Sequence, residues 1–180
     1  MKTEKMKNPM REIKIDKITL NIGAGVEAEN VDKAMALLKT LSGAKVVKTL
    51  CSKRIATWKL RPGLPIGAMV TIRGKKAETL LKQLLQAVSF EIKPTSFMEN
   101  GFSFGIKEYI DIAGVKYDPK IGIIGLDVAV SLKRPGFRVK TRKLKKSKLG
   151  FGHHITAQDA QVWAQEKLGI KLKAAEEERL

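Results

Sequence analysis

Few residues in the chain have the type and spacing that chemistry needs, and the sharpest case is "GAGVEA", Gly23 to Ala28. It lies between an apolar alternation and a helical pattern and fits the glycine-rich dinucleotide fingerprint, which sets a phosphate on a helix N-terminus. Glu27 and Glu29 would stand at that same N-terminus and repel a pyrophosphate. No Asp or Glu closes the following "AKVVKTLCSK" to hold a ribose, and its Lys residues suit only a phosphorylated one. An NADP-binding enzyme therefore stays as a distant alternative. Cys51 could act as a nucleophile in electropositive surroundings, but no His is near it in sequence, and it reads as a small strand residue. His153 and His154 are neighbours that face differently, with no carboxylate cluster beside them, which suits contact with a phosphate or partner better than a triad or metal site. The expectation is a chain with no catalytic residues, no cofactor and no metal.

The charge points elsewhere. Thirty-five Lys and Arg stand against 18 Asp and Glu, a formal net charge of +17 in 180 residues. Such an excess calls for a polyanionic partner, nucleic acid first. Its distribution is uneven: from Lys33 to Ala77 there is no acid, and Val128 to Gln158 is a second basic window. An ordinary soluble surface mixes both signs and limits self-repulsion, so two cationic faces are expected. No run reaches the ~18 apolar residues of a membrane span, and the charged opening "MKTEKMKNPMRE" lacks the core of a signal peptide. A cytosolic protein without membrane contact follows as an expectation. With 43% hydrophobic residues the chain suits one domain over 1–180, with 1–10 and 171–180, including the acidic "AAEEERL", as flexible ends.

The elements that would position these charges alternate along the chain. "EIKIDKITLNI" alternates as a half-buried strand with a phase slip at Asp16-Lys17, as a bulge would give. Val31, Ala34, Met35, Leu38 and Leu41 form a helical stripe with Asn30 as N-cap and Gly43 past the end. "AKVVKTL" and "IGAMVTIRG" read as two strands of a long hairpin, its tip kept irregular by Pro62, Gly63 and Pro65. Ala77, Leu80, Leu81, Leu84, Leu85 and Val88 make a second helix that ends before Pro94. "GFSFGIKEYIDI" has period two, Asp118-Pro119 marks a turn, and "IIGLDVAVSLKR" is a further strand. "RPGFRVKTRKLKKSKLGFG" is too polar for core and reads as a strand continuation or a loop ordered by its partner. "TAQDAQVWAQEKLG" opens with Thr156 and Asp159 at capping-box spacing and stops at Gly169. The sum is an α+β domain: a mainly antiparallel sheet with helices on one face, a long basic hairpin loop, and the other face free for a partner.

At this point "NPMREIKIDKITLNIGAG", "RPGLPIGAMVTIRG", "FGIKEYIDIAGVKYDPKIGIIGLDVAVSLKRPGFRV" and "HHITAQDAQVWAQEKLGI" together resemble the L-five family of large-subunit ribosomal proteins, in its archaeal and eukaryotic branch and leaning archaeal. The resemblance runs in order over about nine-tenths of the chain, which makes it far more specific than any single motif. It implies an antiparallel sheet flanked by helices, seated on the central protuberance and anchoring 5S ribosomal RNA. It places Asn21, Lys48, Thr71 and Arg73 at 5S RNA contacts, where amide, hydroxyl and guanidinium groups can bond ribose, base edges and phosphate.

The resemblance also implies that the 52–66 loop reaches the elbow of P-site transfer RNA. There Lys53, Arg54, Lys59 and Arg61 would neutralise phosphates, Trp58 would stack on a base, and Pro62-Gly63 would let backbone approach RNA. Trp58 could instead fold back as a local anchor. Arg138, Lys140, Arg142, Lys143, Lys145 and Lys146 are expected against large-subunit ribosomal RNA, since a cationic run matches poorly with another basic protein. The segment around 101–119 is expected at a bridge to a protein of the small-subunit head. A free-standing nucleic-acid-binding regulator is the other alternative.

Overall fold

The structure, a computed structural model, describes residues 8–173. The ends expected to be flexible fall largely outside the described residues. Six strands form one sheet: β1 Lys14–Gly23, β2 Val47–Leu50, β3 Pro65–Ile72, β5 Phe97–Met98, β6 Gly101–Ile106 and β7 Leu126–Lys133, in the spatial order β2-β3-β1-β7-β6-β5. Every pairing in it is antiparallel. A separate two-stranded pair is made by β4 Glu91–Ile92 and β8 Lys171–Leu172. The helices are α1 Ala28–Ser42, α2 Lys75–Ala87, α3 Arg138–Thr141 and α4 Ala157–Leu168. The α+β architecture expected from the sequence is the one observed.

The alternation of β1 decides which face is core. Ile18, Leu20 and Ile22 are buried, as are their partners Ile72, Val70 and Ala68 on β3, while Thr19 and Asn21 stay half-buried on the other face. The phase slip is real: the register of β1 against β7 shifts between Ile15 and Lys17. Were the extra residue kept in strict alternation instead of bulged, Lys17 would turn into the core and Ile18 out of it. Gly67 takes part in this tight pairing, because a Cβ there would collide with the backbone oxygen of Ile22.

α1 lays Val31, Ala34, Leu37 and Leu38 on the core, and α2 adds Leu80, Leu81, Leu84 and Leu85, each leucine worth about 2 kcal/mol of burial. α1 begins earlier than its apolar stripe suggests. Its N-cap is Glu27, and Asn30 lies inside the first turn and donates its amide to the Glu27 carboxylate at 2.8 Å. Gly43, in the left-handed region at φ 58°, ends it. α4 has the capping box that its sequence announces, with Asp159 N–H donating to Thr156 Oγ1 at 3.1 Å and Thr156 N–H donating to Asp159 Oδ2 at 3.3 Å.

At the start of the 171–180 end, β8 pairs in parallel with β4, and Lys171 N–H donates to the Phe90 carbonyl at 2.8 Å. The segment 134–150 does not continue β7. It forms the short helix α3, then closes on itself through Ser147 N–H to the Val139 carbonyl at 3.3 Å, while Phe137 packs against the core.

Candidate nucleic-acid interface

The helices cover one face of the sheet and leave the other open. Across the open face run Lys17, Thr19 and Asn21 of β1, Met69 and Thr71 of β3, Asp127, Ala129 and Ser131 of β7, and Ser103 and Gly105 of β6. These side chains are short and mostly uncharged. Such a surface lets a nucleic-acid backbone approach closely and offers hydroxyl and amide groups to ribose 2′-OH and base edges. Thr71 stands opposite Thr19, and Asn21 opposite Met69, so Asn21 and Thr71 are diagonal neighbours roughly 7–8 Å apart. Arg73, just past the end of β3, is exposed at the rim.

Lys48 does not join them. It pairs with Ala68, a fully buried residue beneath the helices, and its ammonium lies 2.9 Å from Asp32 Oδ1 on α1. The strand alternation that puts Asn21 on the open face puts Lys48 on the other.

The β2–β3 connection, residues 51–64, leaves the sheet at the end marked by the Gly23–Gly67 pairing. It is a braced arm: Cys51 N–H donates to the Leu64 carbonyl at 2.8 Å, Gly63 N–H to the Cys51 carbonyl at 2.9 Å, and Ile55 and Leu60 bond each other's backbone at 3.0 and 3.1 Å. The apex is Ala56 to Lys59, with Lys59 in the left-handed region at φ 55°. Trp58 is 65% exposed there, so it does not fold back as an anchor. Lys53, Arg54, Lys59, Arg61, Pro62 and Gly63 are exposed around it, and among the described residues none of these cations pairs with a carboxylate. Cys51 is buried, its thiol 2.9 Å from the Lys53 carbonyl, as a strand-end packing residue would be.

The second basic window lies at the opposite end of the sheet. β7 ends where Lys133 pairs with Lys14, the end of β1 nearest Arg73. Arg73 and residues 138–148 thus flank one end, while the arm leaves the other, with β3 spanning about 24 Å between them. Lys140, Lys143, Lys145 and Lys146 are exposed, whereas Arg142 commits its Nε to the Lys145 carbonyl at 2.8 Å. Arg134 is no surface cation at all: it is buried, donates Nη1 to the His154 carbonyl at 2.8 Å and lies 3.1 Å from Asp159 Oδ2 through Nη2.

The enzyme readings find no support in this geometry. Both neighbours of β1 are antiparallel, and β2, which follows α1, is separated from β1 by β3, so Gly23 to Ala28 does not join two adjacent parallel strands as the dinucleotide-binding unit requires. Glu27 and Glu29 do crowd the start of α1, and the hydrogen bond from Lys33 holds the Glu29 carboxyl below its ordinary range. Among the described residues no three His, Cys, Asp or Glu side chains gather as a metal site, and no helix is long and apolar enough to cross a membrane. Sequence reasoning passed over Thr19, Ser131 and Ser103 on the open face, although the same alternation that marks Asn21 marks them. It also passed over Phe151, whose signal is an aromatic between two glycines in a run with almost no apolar residues.

Comparison with known proteins agrees with this architecture. Residues 8–61 match the family model described as ribosomal protein L5, and residues 65–156 match the one described as the C-terminus of that ribosomal family. Large ribosomal subunit protein uL5 of Nanoarchaeum equitans is 53% identical over 168 residues, 93% of this chain and 99% of that protein. The uL5 proteins of Sulfurisphaera tokodaii and Sulfolobus acidocaldarius are 47% and 41% identical, covering 84% and 96% of this chain and 86% and 97% of theirs. With both family models matched in order around a common sheet, the chain belongs to the ribosomal protein L5 family.

Proposed function

We propose that the chain is a structural, non-catalytic constituent of the large ribosomal subunit that docks 5S ribosomal RNA on the open face of its sheet. The observation that carries this reading is that face itself: the long helices pack on the other side, its side chains are mostly short and uncharged, and Arg73 and the basic 138–148 segment border it at one end. Asn21 and Thr71 bond ribose or base edges, and Arg73 takes a phosphate. Lys48, on the helix side, stands outside this surface. Large-subunit ribosomal RNA meets Arg138, Lys140, Arg142, Lys143, Lys145 and Lys146, and the 101–119 segment serves a bridge to a small-subunit head protein. Titrating 5S RNA against a length-matched unrelated RNA over a salt series tests the docking and separates it from a free-standing nucleic-acid-binding regulator.

The arm serves transfer RNA in the P site. A braced hairpin with an exposed apical tryptophan, and with cations that meet no carboxylate among the described residues, suits a partner that arrives and leaves, since the contact surface is built before the partner comes. Trp58→Ala is expected to weaken transfer-RNA binding to assembled ribosomes about tenfold, the loss of one stacked base, while 5S RNA affinity stays within about twofold. Equal losses in both would place Trp58 in the 5S contact.

A further inference from the structure

Phe151 is 99% exposed, the most exposed large apolar side chain among the described residues. Its 3-10 turn, Phe151–His153, is anchored at His153, whose Nε2 lies 2.8 Å from the Pro135 carbonyl and whose ring makes a T-shaped contact with Phe137, with centroids 5.6 Å apart. The carbonyl of the next residue, His154, accepts from buried Arg134. Gly150 and Gly152 on either side leave the ring without neighbouring side chains, and a Cβ at either would meet nothing within 4 Å.

Beside this turn opens a cleft of about 450 Å³ lined by Lys140, Lys146, Ser147, Lys148, Leu149 and His154. Its three ammonium groups have no carboxylate partner among the described residues. An aromatic presented to water from an anchored turn beside such cations matches what an unstacked base and its flanking phosphates need: a π-face and positive charge. An acidic protein surface would satisfy the lysines and leave the ring uncovered, and a basic ribosomal protein would satisfy neither.

We infer that Phe151 and the Lys140–Lys146–Lys148 cleft form a single-stranded-RNA site, distinct from the open sheet face, in which one unpaired ribosomal RNA base stacks on Phe151. This deepens the reading of the basic segment as a contact for large-subunit RNA and rests on it. The site selects an unpaired nucleotide, because a base inside a duplex presents no free face to the ring.

The test uses the full chain with oligo(rA)12 and an RNA duplex of similar charge as probes, and 5S RNA in parallel. Phe151→Ala is expected to weaken oligo(rA)12 about tenfold and the duplex less than twofold, with the salt slope unchanged. Phe151→Trp restores affinity, and in a Trp58→Phe background its emission, read over that of half-buried Trp163, is quenched on binding. The pair Lys140→Ala, Lys146→Ala is expected to weaken both probes and to flatten the slope for oligo(rA)12 by about 1.4. Equal loss of both probes in Phe151→Ala, no loss of either, or Phe151→Trp emission unmoved by oligo(rA)12 overturns the site. Loss of 5S preference in the unmodified chain would instead strike the docking proposal, so the two failures are distinguishable.

Discussion

Replacing Asn21, Thr71 and Arg73 together with alanine is expected to lower affinity for 5S ribosomal RNA by close to a thousandfold while the protein stays folded. Two neutral hydrogen bonds contribute about 1 kcal/mol each and one charge-assisted bond about 2, which together make about 4 kcal/mol. None of the three belongs to the buried core. Because Arg73 alone among them neutralises a phosphate, the slope of log affinity against log salt should fall by about 1 and no more. Arg54→Ala with Arg61→Ala supplies the contrast. That pair removes two exposed charges from the far end of β3, so it should cut weak binding to any RNA and leave the 5S preference in place. Binding titrations of both variants, with circular dichroism to verify folding, check the expectation; a triple variant that binds 5S RNA within about threefold of the unmodified chain would place the docking surface elsewhere.

Arg134→Ala is expected to cost about 3 kcal/mol of stability and to lower the thermal midpoint by roughly 6–12 °C. The guanidinium is the one charged group buried among the described residues, and it ties three parts of the chain: the end of β7, the backbone of the Phe151–His153 turn, and Asp159 at the start of α4. Removing it leaves the His154 carbonyl without its donor and Asp159 with only the cap. Asp159 itself is about two-fifths exposed, so water screens the ion pair, and most of the cost lies in the orphaned backbone and the emptied space. Asp159→Asn should therefore cost less, about 1 kcal/mol, since it keeps the shape and a hydrogen-bond acceptor for the cap. Calorimetry on the two variants decides it: if both lose the same amount, the charge pair carries the stability and the backbone bonds do not.

Arg134 also shows where sequence reading stops. Within its basic window it looks like one more surface cation, because its neighbours Lys133, Arg138 and Lys140 are not buried. Its burial follows from a long-range event, the docking of α4 against β5 and β6, which brings Asp159 and the His154 carbonyl to it. The face on which Lys48 lies was hidden for a related reason. Its strand is too short and too polar to declare its inward face, and the deciding fact is its pairing with Ala68. What was legible had local physical causes. The bulge at Asp16-Lys17 is written as a phase slip in a period-two pattern, the α4 cap as Thr156 and Asp159 three apart, and the ends of α1 and α4 as Gly43 and Gly169. The open face was legible in outline, since helical stripes that bury one side of a sheet leave the other for a partner. The parallel pair β4–β8 was not, because two-residue strands carry no period, and neither was the turn that presents Phe151, which depends on His153 reaching Pro135.

The most direct test of the central claim is the affinity of the chain for 5S ribosomal RNA and for an unrelated RNA of equal length, measured across a salt series. Counterion release weakens both as salt rises, whereas shape and base contacts survive it. Docking on the open face predicts a preference for 5S RNA that persists or widens at high salt. Equal affinities that vanish together would contradict it, leaving a basic protein held to RNA by charge alone.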